Sequence, residues 1–164
     1  MFKKGDLVLH RYYGVGTVFN IRKMRITKHE QVYYIIDLAV GERLLLPVDQ
    51  AEELGLSPIV SSEAIIDVLS DAPQLLADDF RMRQTEIDQK MGSGDPLRIA
   101  EVLRDLTWRG YAIKLSTGDL RLMGKAHKFL SGLLAAQPSS DDRSASQRLD
   151  ATLKQAMLAR SMPV

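Results

Sequence analysis

Apolar positions follow two different rules along this chain. Up to about residue 50 they come in short runs: Leu7-Val8-Leu9-His10, Thr17-Val18-Phe19-Asn20-Ile21, Val32-Tyr33-Tyr34-Ile35-Ile36-Asp37-Leu38 and Arg43-Leu44-Leu45-Leu46-Pro47. Branched and aromatic side chains dominate these runs, which therefore read as strands. Gly14-Val15-Gly16, Thr27-Lys28-His29-Glu30 and Val40-Gly41-Glu42 lie between them as turn material.

From residue 61 the apolar spacing becomes three and four. Ser61 or Ser62 can cap a short helix carrying Ile65, Ile66, Val68 and Leu69. Asp78 or Asp79 can cap a second, running through Met91 and ending at Gly92-Ser93-Gly94. Asp95-Pro96 supplies a cap and a first-turn proline for a third, with Ile99, Val102, Leu103 and Leu106 on one face. Ser116 and Asp119 are spaced as a capping box before Leu122, Ala126, Phe129, Leu130 and Leu133, with Met123 and Leu134 at the edges of that face. Pro138-Ser139-Ser140-Asp141-Asp142 breaks the pattern, with the aspartates placed as caps. A last helix carries Leu149, Leu153 and Met157.

Four or five short strands in about 50 residues are too few for a sandwich and suit a small, strongly bent barrel. The predicted fold class is thus α+β. A Tudor/SH3-like β-barrel occupies residues 1–55, a linker residues 56–60, and a compact all-helical domain residues 61–164.

Composition narrows the function classes. The 164 residues include no cysteine, which excludes disulfides and thiolate chemistry. No apolar run reaches the roughly 18 residues of a membrane span. Met1-Phe2-Lys3-Lys4-Gly5-Asp6 has no apolar core of a secretory signal, so a cytoplasmic protein without membrane contact is expected. The formal net charge is only +1, unlike a free-standing nucleic-acid binder. That figure hides a segregation: residues 1–50 balance at +3, 51–95 at −7 and 96–164 at +5.

No set of residues assembles a catalytic site. His10, His29 and His127 fall in a strand, a turn and a helix without metal-ligand spacing. Gly14-Val15-Gly16 lacks the third glycine and following helix of a dinucleotide site. Asp78-Asp79 and Asp141-Asp142 are better read as helix caps than as paired acids. A non-enzymatic protein without cofactor or metal is expected.

Binding features are clearer. Arg121, Lys125 and Lys128 form one stripe at i, i+4 and i+7, away from the apolar face of their helix, and such a stripe can lie along successive phosphates. Arg98, Arg104 and Arg109 have Glu101 and Asp105 within pairing distance along the helix, so mutual pairing is expected there. Phe80-Arg81-Met82-Arg83 places an aromatic beside two cations at a helix start. It suits a wedge at a nucleic-acid groove, or equally a staple into the helical core. Trp108 and Phe129 read as packing residues. In the β half, Arg22, Lys23 and Arg25 cluster near the end of the second strand. The apolar Val32–Ile36 run offers either a buried core or an edge for strand addition by another protein.

The residues that decide between these readings resemble a known family. Phe2, Gly5-Asp6, Val8, Gly14-Val15-Gly16 and Val18 resemble the opening signature of the CarD/CdnL family, whose first module is shared with the polymerase-interacting domain of the transcription-repair coupling factor. Tyr33-Tyr34 and Leu46-Pro47-Val48 are similar to the same module. Ser93-Gly94-Asp95-Pro96, Arg98 to Leu106, Leu115-Ser116 and Lys125-Ala126 are similar to the family's helical domain, in its order and spacing.

The resemblance implies a bacterial transcription regulator that acts as a monomer. Its β module would bind the RNA polymerase β subunit, and its helical domain would touch promoter DNA at the upstream edge of the bubble. It would stabilise the open complex without chemistry or cofactor. The implied DNA-binding residues are Phe80, Arg81, Arg83, Arg121, Lys125 and Lys128, with Phe80 standing where the family usually has a tryptophan. The implied polymerase-binding residues are Arg22, Arg25, Tyr34, Arg43 and Leu45. Met24 and Leu45 fall where some members carry polymerase-contacting arginines. Arg25 and Arg43 would replace those only under a shifted register, because a one-residue step turns a side chain to the other face. His10-Arg11 stands in place of the more usual Tyr-Pro. The alternative is an adaptor that binds polymerase or another protein while its helical domain leaves DNA alone.

Overall fold

A computed structural model describes residues 1–137 and 142–161. The chain divides into two compact units, Met1–Ile59 and Val60–Val164. No helix among the described residues is long and apolar enough to cross a membrane.

The first unit is β1 (Leu7–His10), β2 (Gly14–Met24), β3 (Gln31–Leu38), β4 (Arg43–Pro47) and β5 (Leu56–Pro58), with one turn of 3-10 helix at Val48–Gln50. All pairings are antiparallel and the strand order is β4-β3-β2-β1-β5. The expected small barrel is therefore an open sheet, with β4 and β5 as its edges. Residues 56–58, expected in the linker, are β5 instead: Leu56 is buried and joins the core of this unit. That core gathers Val8, Val18, Tyr34, Ile36, Leu38, Leu46, Ala51 and Leu56 on one face of the sheet. Tyr33 and Ile35, on the alternate face of β3, are buried as well, so β3 is buried residue after residue from Tyr33 to Ile36. A strand in that state reads as a continuous apolar run, which explains the lost alternation in the sequence.

Register fixes what each strand shows. The ladder between β2 and β3 slips at Phe19, leaving that ring as an extra residue between Val18 and Asn20 and exposing it. Gly16 crosses β3 so closely that a Cβ there would sit 2.6 Å from Ile36 Cγ2, so the glycine is required by packing.

His10 closes the β1–β2 turn. Its Nδ1 accepts the backbone N–H of Tyr12 at 3.2 Å and of Tyr13 at 3.3 Å. The imidazole is buried, and burial holds its pKa below the ordinary 6.5. A hydrogen bond with the Leu54 backbone opposes that shift and the charge of Arg11 adds to it. The folded state thus favours neutral His10, and the unfolded chain takes up the proton first as pH falls. Stability is expected to be full above pH 6.5 and to fall as acid carries the solution through the folded pKa. Denaturant midpoints measured across this range check it, and His10→Asn, which accepts without titrating, should remove that component of the slope.

The second unit contains α1 (Ser62–Ser70), α2 (Phe80–Gly92), α3 (Pro96–Ala112), α4 (Thr117–Ala135) and α5 (Asp142–Ser161). Each of the first four starts on a side-chain cap. Ser61 accepts from Ala64 N, Asp79 from Met82 N, Asp95 from Leu97 N and Ser116 from Asp119 N. The cap expected at Asp141 lies outside the described residues. Helix α3 is the hub and packs against α1, α2, α4 and α5. It buries Ile99, Ala100, Val102, Leu103 and Leu106, and with them Arg104 and Asp105.

Candidate functional site

Helix α2 is mostly polar, and among its residues only Arg83 and Ile87 are buried. Its two buried anchors are thus one apolar and one ionic. Arg83 is 5% exposed, and its Nε donates to Asp119 Oδ1 of α4 at 3.1 Å. Its Nη1 donates to the carbonyls of Ala77 and Asp78, both at 3.0 Å. Arg83 is thus a correction to the sequence reading, because its guanidinium is spent inside the fold and cannot hold a phosphate. Burial alone would raise the pKa of Asp119. Hydrogen bonds from Arg83 and Ser116 and the charge of Arg83 outweigh it and hold the carboxyl below its ordinary value.

Arg83 in turn positions Phe80. The guanidinium lies 5.6 Å from the Phe80 ring centroid, and a Cβ on Gly118 would be 3.5 Å from the ring edge. One side of the ring is held between Arg83 and the first turn of α4, and the residue is still 49% exposed. This is a fixed aromatic projection rather than a core staple. Arg81 beside it is exposed. One turn along α4 from Gly118 begins the stripe of Arg121, Lys125 and Lys128. All three are exposed, and none has an ion-pair partner among the described residues. Projection and stripe thus meet at the start of α4.

The α3 cations pair differently from the expectation. Arg104 bonds its neighbour Asp105 at 2.8 Å, Glu101 goes to Lys90 at 2.8 Å, and Arg109 reaches Asp78 at 3.3 Å. Arg104 and Asp105 thus pair within α3 as immediate neighbours, whereas Glu101 and Arg109 find their partners on α2 and on the connector before it.

In the β unit, Tyr34 is 2% exposed; its hydroxyl accepts the Phe2 N–H at 3.0 Å and its ring meets Phe2 edge-on. It is a core residue, which corrects its assignment as a polymerase contact. The register pairs Tyr33 with Arg22, Ile35 with Leu45 and Asp37 with Arg43. Arg22, Arg43 and Leu45 therefore share the face opposite the Tyr34 core. Arg43 stands two residues from Leu45, so its side chain reaches that face without any shift in register. Arg25 lies just beyond the end of β2 and is exposed.

Arg43 also has company that the sequence does not disclose. Its Nε donates to Asp37 Oδ1 at 2.7 Å while its guanidinium carbon sits 4.3 Å from the Phe19 ring centroid. Lys4 Nζ approaches the same ring at 5.9 Å. The bulged, exposed Phe19 is thus a surface residue within a cationic cluster. Only the slipped register reveals it.

Among the described residues no group of three or more metal-ligating side chains converges. The arrangement offers surfaces for binding. Residues 2–60 match the family model described as the CarD-like/TRCF RID domain. Residues 64–150 match that described as the CarD C-terminal domain. Matched in both halves and in the same order, the chain belongs to the CarD family of non-catalytic transcription regulators that interact with RNA polymerase.

Proposed function

We propose that this protein stabilises the promoter open complex by bridging the RNA polymerase β subunit and DNA at the upstream edge of the bubble. The observation that carries the reading is Phe80, a half-exposed ring braced by Arg83 and α4 beside Arg81 and the Arg121–Lys125–Lys128 stripe. A braced apolar projection can enter an opened base step, and cations on the same edge can hold the flanking phosphates. Arg22, Arg25, Arg43 and Leu45, with Phe19 beside Arg43, serve as the polymerase-facing set, and the monomer is the acting species. The mechanism is a population shift: a protein that binds melted promoter more tightly than closed promoter stabilises melting by that difference, about 1.4 kcal/mol for each factor of ten.

Binding to forked promoter DNA, measured as a function of salt with polymerase present, tests the reading. Replacing Arg121, Lys125 and Lys128 with Gln should reduce the slope of log affinity against log salt. Each lost duplex phosphate contact should lower it by about 0.9. An unchanged slope removes the stripe from the DNA interface, and no affinity for the fork at low salt overturns the reading. The overall charge of +1 accords with weak binding to free DNA and dependence on polymerase for placement.

A further inference from the structure

Helices α3, α4 and α5 and the connector from α3 to α4 line a cleft of about 950 Å³. That is the upper end of the roughly 300–1,000 Å³ typical of small-molecule sites, which also form between helices of bundles. Leu103, Leu115, Leu120, Met123 and Leu153 give it mostly apolar walls. Leu120 is 52% exposed and Tyr111, also on the wall, 66%, so this apolar surface is open to solvent. Gly124 on the α4 wall keeps it open: a Cβ there would meet nothing within 4 Å. Gly110 on the α3 wall is different, because its Cβ would lie 3.2 Å from Leu115 Cδ1. Packing inside the fold thus accounts for Gly110 but not for Gly124, although glycine weakens a helix interior.

Charge on the wall is sorted by position. Short connectors join α3 to α4 and α4 to α5, so α4 runs opposite to both. Thr107 Oγ1 lies 3.9 Å from Met123 Sδ, and His127 Nε2 lies 2.9 Å from Asp150 Oδ1. Lys114 follows Thr107 by about two turns and Lys154 follows Asp150 by about one, so both lysines fall toward the start of α4. Both line the cleft, both are exposed, and neither has an ion-pair partner among the described residues. Asp150 is the only acid on the wall, and His127 engages it at the other end. Leu120, Gly124 and His127 on the wall are each followed by a cation of the stripe, Arg121, Lys125 and Lys128, which makes the local field more positive.

We propose that this cleft binds a small aromatic carboxylate, with its rings on the apolar walls and its carboxylate at the end that carries Lys114 and Lys154. From Leu120 to His127 the α4 wall is seven residues, or about 10 Å. Over that length the volume is several alkyl chains wide, so a fused ring system fills it where a single chain does not. Met123 and Tyr111 favour such a body, since thioether–ring and ring–ring contacts add to plain apolar burial. Charge selects the head group. An anion meets two unpaired lysines, whereas a cation meets the same lysines and an aspartate already engaged. The site depends on contact with neither DNA nor polymerase.

The full-length, isotope-labelled protein is titrated with 2-naphthylacetate, and with 2-naphthylethanol and 2-naphthylethylamine, which present similar rings with a neutral and a cationic head. Nuclear magnetic resonance reads the Met123 methyl and the amides of Gly110 and Gly124. Naphthylacetate should shift these signals saturably, with half-saturation at about 1 mM or below. The ring current should move the Met123 methyl, and the amine should bind at least about tenfold more weakly. Lys114→Gln with Lys154→Gln should weaken naphthylacetate about tenfold and leave naphthylethanol unchanged. Gly124→Leu fills the cleft while strengthening the helix, so it should weaken every probe on the order of tenfold in a folded protein. Equal binding of acid, alcohol and amine overturns the proposal, as do shifts confined to other surfaces or unaltered binding in Gly124→Leu. No shift up to about 10 mM overturns it too. Movement of the same signals with protein concentration alone would show a second copy closing the cleft, and would also overturn it.

Discussion

Replacing Arg83 with Met should cost the helical unit about 3–5 kcal/mol, the range for leaving one member of a buried ion pair alone. The substitution strands the Asp119 carboxylate and the carbonyls of Ala77 and Asp78, all of which now receive hydrogen bonds from this one guanidinium. Helix α2 has little else buried to hold it, since Ile87 is its other buried residue and its Lys90–Glu101 pair is partly exposed. Denaturant unfolding followed by circular dichroism measures the loss, and a change below about 1 kcal/mol would show that the pair is not an anchor. Replacing both partners, Arg83→Met with Asp119→Leu, should recover part of the loss, because no charge is then left buried. The same pair sets an acid limit. With its folded pKa below the ordinary 3.8, Asp119 contributes fully above that value and loses its contribution as pH falls through the folded pKa. In Arg83→Met the acid limit should move upward, since burial then acts on the carboxyl without the partner that offsets it.

Replacing Phe80 with Ala should shorten the open-complex lifetime by roughly tenfold while polymerase affinity and protein stability change little. The ring is half exposed, so its removal leaves no large cavity. What it removes is the apolar projection that would occupy an opened base step, where unstacking costs a few kcal/mol. Competitor challenge of preformed open complexes gives the lifetime. An unaltered lifetime with normal polymerase binding would show that the wedge is not at Phe80. Combined loss of polymerase binding and lifetime would point to a folding defect. Phe80→Trp adds indole surface and should lengthen the lifetime above that of the natural chain. If Arg83 braces the ring, Arg83→Met should reproduce the Phe80→Ala lifetime at temperatures where the helical unit is still folded.

Much of the secondary structure was legible because its causes are local. Ser61, Asp79, Asp95 and Ser116 each cap a helix through a hydrogen bond two or three residues away. A cap with the apolar period behind it states where a helix begins. The stripe of Arg121, Lys125 and Lys128 was legible for the same reason, since helical spacing alone puts three cations on one side. Residues whose role is set by a distant partner were not. Arg83 reads as one more cation in Phe80-Arg81-Met82-Arg83 until Asp119, 36 residues on, takes it into the interior. Resemblance places Tyr34 at the polymerase surface, yet it alternates with Ile36 and Leu38 on the core face, and burial of Tyr33 and Ile35 on the other face is what blurs that alternation in the sequence. Leu56 looks like linker until it pairs across from His10 and enters the core.

Sequence alone was enough for the two-part α+β organisation, the family and the helix start at Phe80, because periodicity, capping and motif order are carried by residues near one another in the chain. Only the tertiary structure decided which charges remain available. Buried cations must find partners, and partners are chosen by packing: Arg83 and Arg104 turn inward, Arg109 takes Asp78, and Arg121, Lys125 and Lys128 stay in solvent. It likewise decided the β surface, where a slip of one residue at Phe19 brings an exposed ring beneath Arg43. Desolvation and strand register are properties of distant pairs, and no local pattern encodes them.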